Sequence, residues 1–335
     1  MKNMGMKGKS YILATVVLAA GCSNGNEVTR MDGFALGTVY QVSVKGPVPA
    51  NLEERLDSLF AAVTASMSVF APDSRISRLN RGETDSLDEH LTRCIETADD
   101  VSRLSGGLYD ITVKPLRDAY GFGNEKPQEN PDIDSLLETV GYDKLSVCEG
   151  RLRKSDPRVQ IDLNSIAKGY TVDRAGMLLE ELGVREYLVD IGGEIYCRGT
   201  NASGKEWTVG IESPFEGNYI PGAYVQTVVR LSDAGLATSG NYRNFRVDSL
   251  GRRYTHIINP LTGANTRSDL LSATVMASSC MLADAYGTML MAVGYEKAVE
   301  LLENMDDAEA LLIRAAEDGG TEIYATPGMK ERIVR

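Results

Sequence analysis

An α+β fold, with mixed or antiparallel sheets flanked by helices, is what this sequence predicts, and three observations carry the prediction. Short apolar strands follow one another without a helix between each pair, which disfavours a doubly wound parallel sheet. Several longer segments repeat apolar residues at helical spacing. Hydrophobic residues make up 43% of the 335 positions, enough for a large core in one domain or two closely joined lobes.

The N-terminus reads as a targeting segment. Lys2, Lys7 and Lys9 precede a short apolar run over residues 11–20, too short to span a bilayer as a helix. The run ends in Leu18-Ala19-Ala20-Gly21-Cys22, which resembles the lipobox of bacterial lipoproteins. That resemblance implies removal of residues 1–21, lipidation of Cys22, a short polar tether through residue 30 and a folded domain over 31–335. It also implies an extracytoplasmic protein anchored to a bacterial membrane, on the periplasmic face or at the cell surface. The whole chain carries a net charge of −12, and without the three signal-segment lysines it carries −15. Such a surface excludes nucleic acid and anionic headgroups as natural partners. Cys94, Cys148, Cys197 and Cys280 show no metal-ligand spacing and read as buried free thiols.

Beyond the tether, Tyr40, Val42 and Val44 alternate with Gln41, Ser43 and Lys45, a half-buried strand. Asn51 and Glu54 make a capping box for a helix with Leu52, Leu56, Leu59, Phe60, Val63 and Met67 on its apolar face. Residues 68–80 are polar and rich in turn formers, which predicts a surface loop. A helix over 91–105 turns Leu91, Cys94, Ile95, Ala98 and Val101 inward and stops at Gly106-Gly107. Residues 108–113 are strand-like and set Asp110 beside Tyr109, and 121–135 read as an exposed excursion. Strands follow at 187–191, 195–198, 207–211, 225–231 and 272–277. Residues 254–260 end a strand in a turn closed by Gly263. Helices near 282–293 and 296–304 precede a strand pair near 311–314 and 322–325.

The chemistry centres on residues 161–170, IDLNSIAKGY. Val159 and Ile161 read as the end of a strand and the residues from Ser165 onward as a helix start, a turn whose free N–H groups and positive dipole end favour an anion. The structural alternative is a helix capped by Asp162, Asn164 or Ser165, with Lys168 solvated. Asp284 and Thr288 stand four apart on a predicted helix, so their oxygens face one way. With Ser165 they would form an oxygen-only site of the kind that holds magnesium while leaving positions open for phosphate. His256, beside a turn, suits binding or proton transfer; His90 lies in a charged run and reads as surface. Two motifs are decoys. Residues 199–205, GTNASGK, mimic a P-loop, but Glu206 follows where a Ser or Thr is needed and a strand follows where a helix is needed, so they read as a hairpin turn. Ser165-Ile166-Ala167-Lys168 matches the S-x-x-K of serine acyl-enzymes, yet Leu261 stands where a K-T-G lysine is required.

From Gly37 to Gly294 the chain carries, in order, SVFAPDSRISRLN, GGLYDITV, IDLNSIAKGYTVD, VDIGGE, ATSGNY, HIINPLTG and ADAYGT. The ordered set resembles the ApbE family of FAD:protein FMN transferases. The resemblance implies a cleft between closely joined lobes that holds FAD as substrate with Mg²⁺. It implies transfer of FMN to a Thr or Ser of an exported flavoprotein, such as a subunit of an electron-transferring complex, with release of AMP. Carried over by position, Leu36, Phe70, Leu108, Tyr109, Asp110, Asp162, Lys168 and Ile258 would contact FAD. Ser165, Asp284, Gly287 and Thr288 would hold the metal, and His256 or Asp284 would take the acceptor's proton. Leu36 stands where Met is common, and Asn259 replaces a frequent Asp. An Mg-dependent FAD pyrophosphatase, giving FMN and AMP, and a flavin-binding lipoprotein without turnover are the alternatives.

Overall fold

The computed structural model describes residues 27–334 apart from 124–125, 216–217, 219–222, 242–244, 248–252, 266–268 and 317–319. The signal segment, Cys22 and Tyr242 therefore lie outside the described residues. The strands are β1 Val28–Ala35, β2 Thr38–Lys45, β3 Leu145–Cys148, β4 Arg151–Lys154, β5 Tyr187–Ile191, β6 Glu194–Arg198, β7 Trp207–Glu212, β8 Val225–Leu231, β9 Ala234–Gly240, β10 Phe245–Val247, β11 Arg253–Thr255, β12 Leu270–Ala277, β13 Ala308–Ala315 and β14 Thr321–Ala325. The helices are α1 Leu52–Met67, α2 Arg75–Asn80, α3 Glu89–Leu104, α4 Lys114–Ala119, α5 Ile133–Leu137, α6 Ala167–Glu181, α7 Cys280–Val293, α8 Tyr295–Leu302 and α9 Pro327–Arg332.

An eight-stranded sheet in the order β1-β2-β5-β6-β9-β12-β13-β14 organises the molecule, and every pairing in it is antiparallel. Successive side chains of its strands point to opposite faces. On β13, Ala308, Ala310 and Leu312 pack toward the helices, whereas Leu311 and Ile313 meet Trp207, Val209 and Val229 of the β7-β8 hairpin and Met329 of α9. Both faces are thus covered along the middle of the sheet, which is why its strands read as apolar runs. Helices α6 and α7 lie on one face, with α1 packed on α6 and α3 on α7. The α7 sequence is apolar on all sides because it is enclosed, and Asp284 is its one charged residue.

The α1 and α3 apolar faces bury the residues that periodicity names, with Leu59 only partly covered. Several expectations need correction. Residues 75–80 form α2, which buries Ile76 and Leu79; the run's polarity comes from its cap Ser74 and from Asn80, whose amide holds both backbone groups of Ile161. Residues 108–113 are not a strand. Asp110 accepts hydrogen bonds from Thr112 N, Thr112 Oγ1 and Tyr142 N, each at 2.7 Å, and this bends the segment into turns. Val159 and Ile161 do not end a strand either, since Asn80 takes the place of a ladder partner. Asn51 starts α1 without a side-chain cap bond. Strand β1 begins at Val28, inside the segment assigned to the tether. The 199–205 turn closes through Asn201 and Gly204, but it carries the chain from the central sheet to the β7-β8 sheet, so it is not a hairpin. Cys94, Cys197 and Cys280 are buried free thiols, whereas Cys148 is exposed. His90 is half-buried, with Nδ1 at 2.8 Å from Tyr170 Oη. Among the described residues no helix is long and apolar enough to cross a membrane.

Candidate functional site

One cleft, of about 550 Å³, is lined by the β1-β2 turn, the 108–113 loop, the turn before α6, the end of β9, residues 256–258 and one side of α7. That volume suits a small-molecule ligand. It takes in Leu36, Phe70, Leu108, Tyr109, Asp110, Asp162, Ser165, Lys168, His256, Ile258, Asp284 and Thr288. Gly287 is the exception among the described site residues: it faces the sheet, where an added Cβ would lie 3.1 Å from Ser239 Oγ.

The floor is the 161–168 turn. Asp162 N donates to Ile111 O at 2.8 Å, and Asp162 Oδ1 accepts from Asn164 N at 2.8 Å, so the carboxylate shapes its own turn. The helix begins at Ala167, with Ile166 at the cap position and no side-chain cap bond. The capping alternative therefore fails. Ser165 Oγ donates to Tyr109 Oη at 2.9 Å, and Gly169 N donates to Asp284 Oδ2 at 3.0 Å, which joins the start of α6 to α7. Thr288 Oγ1 lies 3.2 Å from Ser239 Oγ. Lys168 is half-exposed rather than free in solvent: its Nζ pairs with the buried Glu194 Oε2 of β6 at 2.5 Å.

Electrostatically the cleft is acidic. Its lining holds four carboxylates, Asp110, Asp162, Glu194 and Asp284, against the cations Arg117 and Lys168. Each cation is already committed, Lys168 to Glu194 and Arg117 to Asp162. Burial raises Asp284, against the opposing pull of Lys168 and the Gly169 N–H. Burial also pushes Asp110 up to about 6 and Glu194 up to about 7. Lys168 is pulled down by burial, but Glu194 and Asp284 outweigh this and raise it. His256 stands in the lining with its ring edge-on to Phe122, centroids 6.2 Å apart. Asn259 needs no acidity, because its Oδ1 only accepts, from Leu261 N at 2.9 Å and Thr262 N at 3.2 Å. Gly192 and Gly193 spend their N–H groups on Val39 O and Asp190 Oδ1 and do not line the cleft.

Sequence reasoning gave no site role to Arg117, Glu194 or the Thr238-Ser239-Gly240 wall, although Glu194 ends the VDIGGE motif and the wall lies within ATSGNY. Arg117 lies in a short helix without an apolar pattern, and Glu194 follows a glycine pair that signals only a turn. The wall is strand β9, whose small polar residues carry no strand signature.

Comparison with known proteins agrees with this geometry. The chain is 33% identical over 339 residues to the FAD:protein FMN transferase of Vibrio cholerae, covering 97% of this chain and 98% of that one. It is 34% identical over 319 residues to the FAD:protein FMN transferase of Haemophilus influenzae, covering 90% and 91%. Among solved structures, the flavin transferase ApbE from Vibrio cholerae superposes with a TM-score of 0.79 at 31% identity, over 91% of this chain and 99% of that one. The apo flavinyl transferase ApbE of Pseudomonas stutzeri gives 0.80 at 28%, over 92% and 97%. With the ApbE family profile matching residues 36–312 across the strands and helices that build the cleft, this chain belongs to the ApbE family.

Proposed function

We infer that this chain transfers FMN from FAD to a Thr or Ser hydroxyl of a target protein, releasing AMP, and that the transfer depends on Mg²⁺. One observation carries the metal requirement. The pyrophosphate of FAD is anionic, yet the cleft that receives it holds four carboxylates and two cations already paired with two of them. An added cation is needed to offset that charge. The donors present fit a hard ion: the buried carboxylate of Asp284, 4% exposed, and the oxygens of Ser165 and Thr288 line one cleft. Gly287 can contribute only its backbone. Bound there, Mg²⁺ supplies positive charge to the phosphate oxygens.

The protein's own residues do the rest. Leu36, Phe70, Leu108, Tyr109 and Ile258 supply apolar and aromatic walls for the flavin or adenine ring, and Asp110, Asp162 and Lys168 orient polar parts of the dinucleotide. The acceptor oxygen forms a bond to the phosphorus of the FMN half as the bond from that phosphorus to the AMP oxygen breaks. The hydroxyl proton passes to His256 or Asp284, and AMP leaves. We further propose that Cys22 is lipidated after removal of residues 1–21, so that the folded domain works at the extracytoplasmic face of a bacterial membrane on exported flavoproteins.

The test is to incubate the chain with FAD, Mg²⁺ and a domain bearing an acceptor threonine, following FMN addition by mass spectrometry and AMP by chromatography. Modified acceptor with matching AMP is expected, and Asp284→Ala should lower the rate at least a thousandfold. FMN and AMP with unmodified acceptor would make the protein a pyrophosphatase; full Mg²⁺-dependent transfer by Asp284→Ala would overturn the metal assignment. His256→Ala with wild-type turnover would leave Asp284 as the base.

A further inference from the structure

Two residues that meet at the cleft wall have no part in the chemistry above. Ser239 of β9 and Gly287 of α7 face each other: a Cβ added at Gly287 would lie 3.1 Å from Ser239 Oγ and 3.5 Å from Ala273 O. Side chains alternate along β9, so Ser239 shares a face with Ala237, which is buried in the same core as Ala285 and Met289 of α7. Ser239 therefore points at α7, and its Oγ lies 3.2 Å from Oγ1 of Thr288. Neither hydroxyl has another hydrogen-bond partner among the described residues, and Ser239 and Thr288 both line the cleft.

The other two oxygen donors of the site are each held by a neighbour in a comparable way. Ser165 Oγ donates its proton to Tyr109 Oη at 2.9 Å, which leaves its lone pairs for the cleft. Asp284 Oδ2 takes the Gly169 N–H at 3.0 Å, which fixes the direction of the carboxylate. A neutral hydroxyl serves a cation only through a lone pair, so its own proton has to be turned elsewhere. For Thr288 the acceptor within reach is Ser239 Oγ.

We propose that Ser239 is a positioning residue for the cation site: it accepts the Thr288 proton, turns a Thr288 lone pair toward the cleft, and has room to do so because Gly287 lacks a side chain. The proposal rests on the magnesium reading given above. With the hydrogen bond reversed, Ser239 would occupy a Thr288 lone pair and free the Thr288 proton to point at the cation, an orientation that the field of a divalent ion opposes. Glycine inside a helix is unfavourable relative to alanine, so its presence at 287 calls for a reason, and the space taken by Ser239 Oγ supplies one.

The experiment titrates Mn²⁺, as a paramagnetic substitute for Mg²⁺, into the full-length chain in detergent micelles and reads the free ion by electron paramagnetic resonance. Ser239→Ala should raise the Kd about tenfold or more, the usual effect of losing a partner that orients a metal ligand. In a Thr288→Val chain the same change should move the Kd by less than about twofold, because Ser239 acts only through the Thr288 oxygen. Gly287→Ala should also weaken Mn²⁺ binding by pressing Ser239 aside, and should add nothing in the Ser239→Ala chain. Unchanged Mn²⁺ affinity in Ser239→Ala overturns the proposal. So does a loss that persists in the Thr288→Val chain, since direct ligation by Ser239 or a disturbed α7 would survive removal of the Thr288 oxygen. Wild-type Mn²⁺ affinity in Asp284→Ala would remove the cation site itself, a failure distinct from that of Ser239 alone.

Discussion

Arg117 and Asp162 are the residues whose pairing matters most to the cleft wall. Their side chains are 14% and 6% exposed, and Arg117 Nε has no hydrogen-bond partner, so the guanidinium is held there chiefly by one carboxylate. Removing one member of a buried pair leaves the other charge uncompensated, at about 3–5 kcal/mol. Arg117→Met should therefore lower the urea midpoint strongly. Arg117→Met/Asp162→Asn should recover part of the loss, because the neutral amide can still accept from Asn164 N. A double variant no more stable than the single one would show that the pair contributes through packing alone. Asn259 makes the opposite point: a departure from the residue common in the family changes little when the position is used only as an acceptor of turn N–H groups.

At the scale of elements, the site depends on how closely α6 approaches α7. Gly169 is the contact point: an added Cβ would lie 2.3 Å from Cys280 O and 2.8 Å from Asp284 Cβ. Asp173, one turn further along α6, accepts the N–H groups of Cys280 and Met281 at 2.8 and 2.9 Å and so holds the start of α7. The two helices are fastened at both places, and Asp284 is aimed as a result. Gly169→Ala has to push them apart, at about 1–3 kcal/mol or more. It should also cut FMN transfer at least tenfold at temperatures where circular dichroism still shows a folded protein. Wild-type transfer by a fully folded Gly169→Ala chain would show that Asp284 tolerates displacement.

For the whole molecule the consequence is electrostatic. Burial pushes Asp110 and Asp173 up to about 6 and Glu194 up to about 7. A carboxyl whose folded pKa exceeds its unfolded value stabilises the fold while protonated. That contribution is complete below about pH 4 and is lost as pH rises through 6 to 7. A rise from 3.8 to about 6 corresponds to about 3 kcal/mol. Carboxylates shifted the other way act in a lower window: Glu186, held down by Thr200 and Lys45, loses its contribution only as pH falls through its depressed value. Without divalent cations, the urea midpoint should therefore fall between pH 4.5 and 7, and Asp173→Asn should flatten that fall. A midpoint that rises over this interval would contradict the burial argument.

Local pattern reached far into this protein. Periodicity placed α1 and α3 with their buried faces, and short apolar runs located β5, β7, β8, β12 and the β13-β14 pair. Motif order brought together nearly every residue that lines the cleft. These features were legible because each depends on neighbours a few positions apart, the range over which a helix or strand repeats. Three things were settled only by tertiary structure. Asn80 and Asp110 fix loops through partners elsewhere in the chain, so polar or strand-like stretches became a helix and a set of turns. Arg117 and Glu194 acquired their place through ion pairs with residues 45 and 26 positions away. The acidity of the cleft appeared only when strands and helices distant in sequence packed side by side, since desolvation and charge pairing depend on distance in space rather than along the chain.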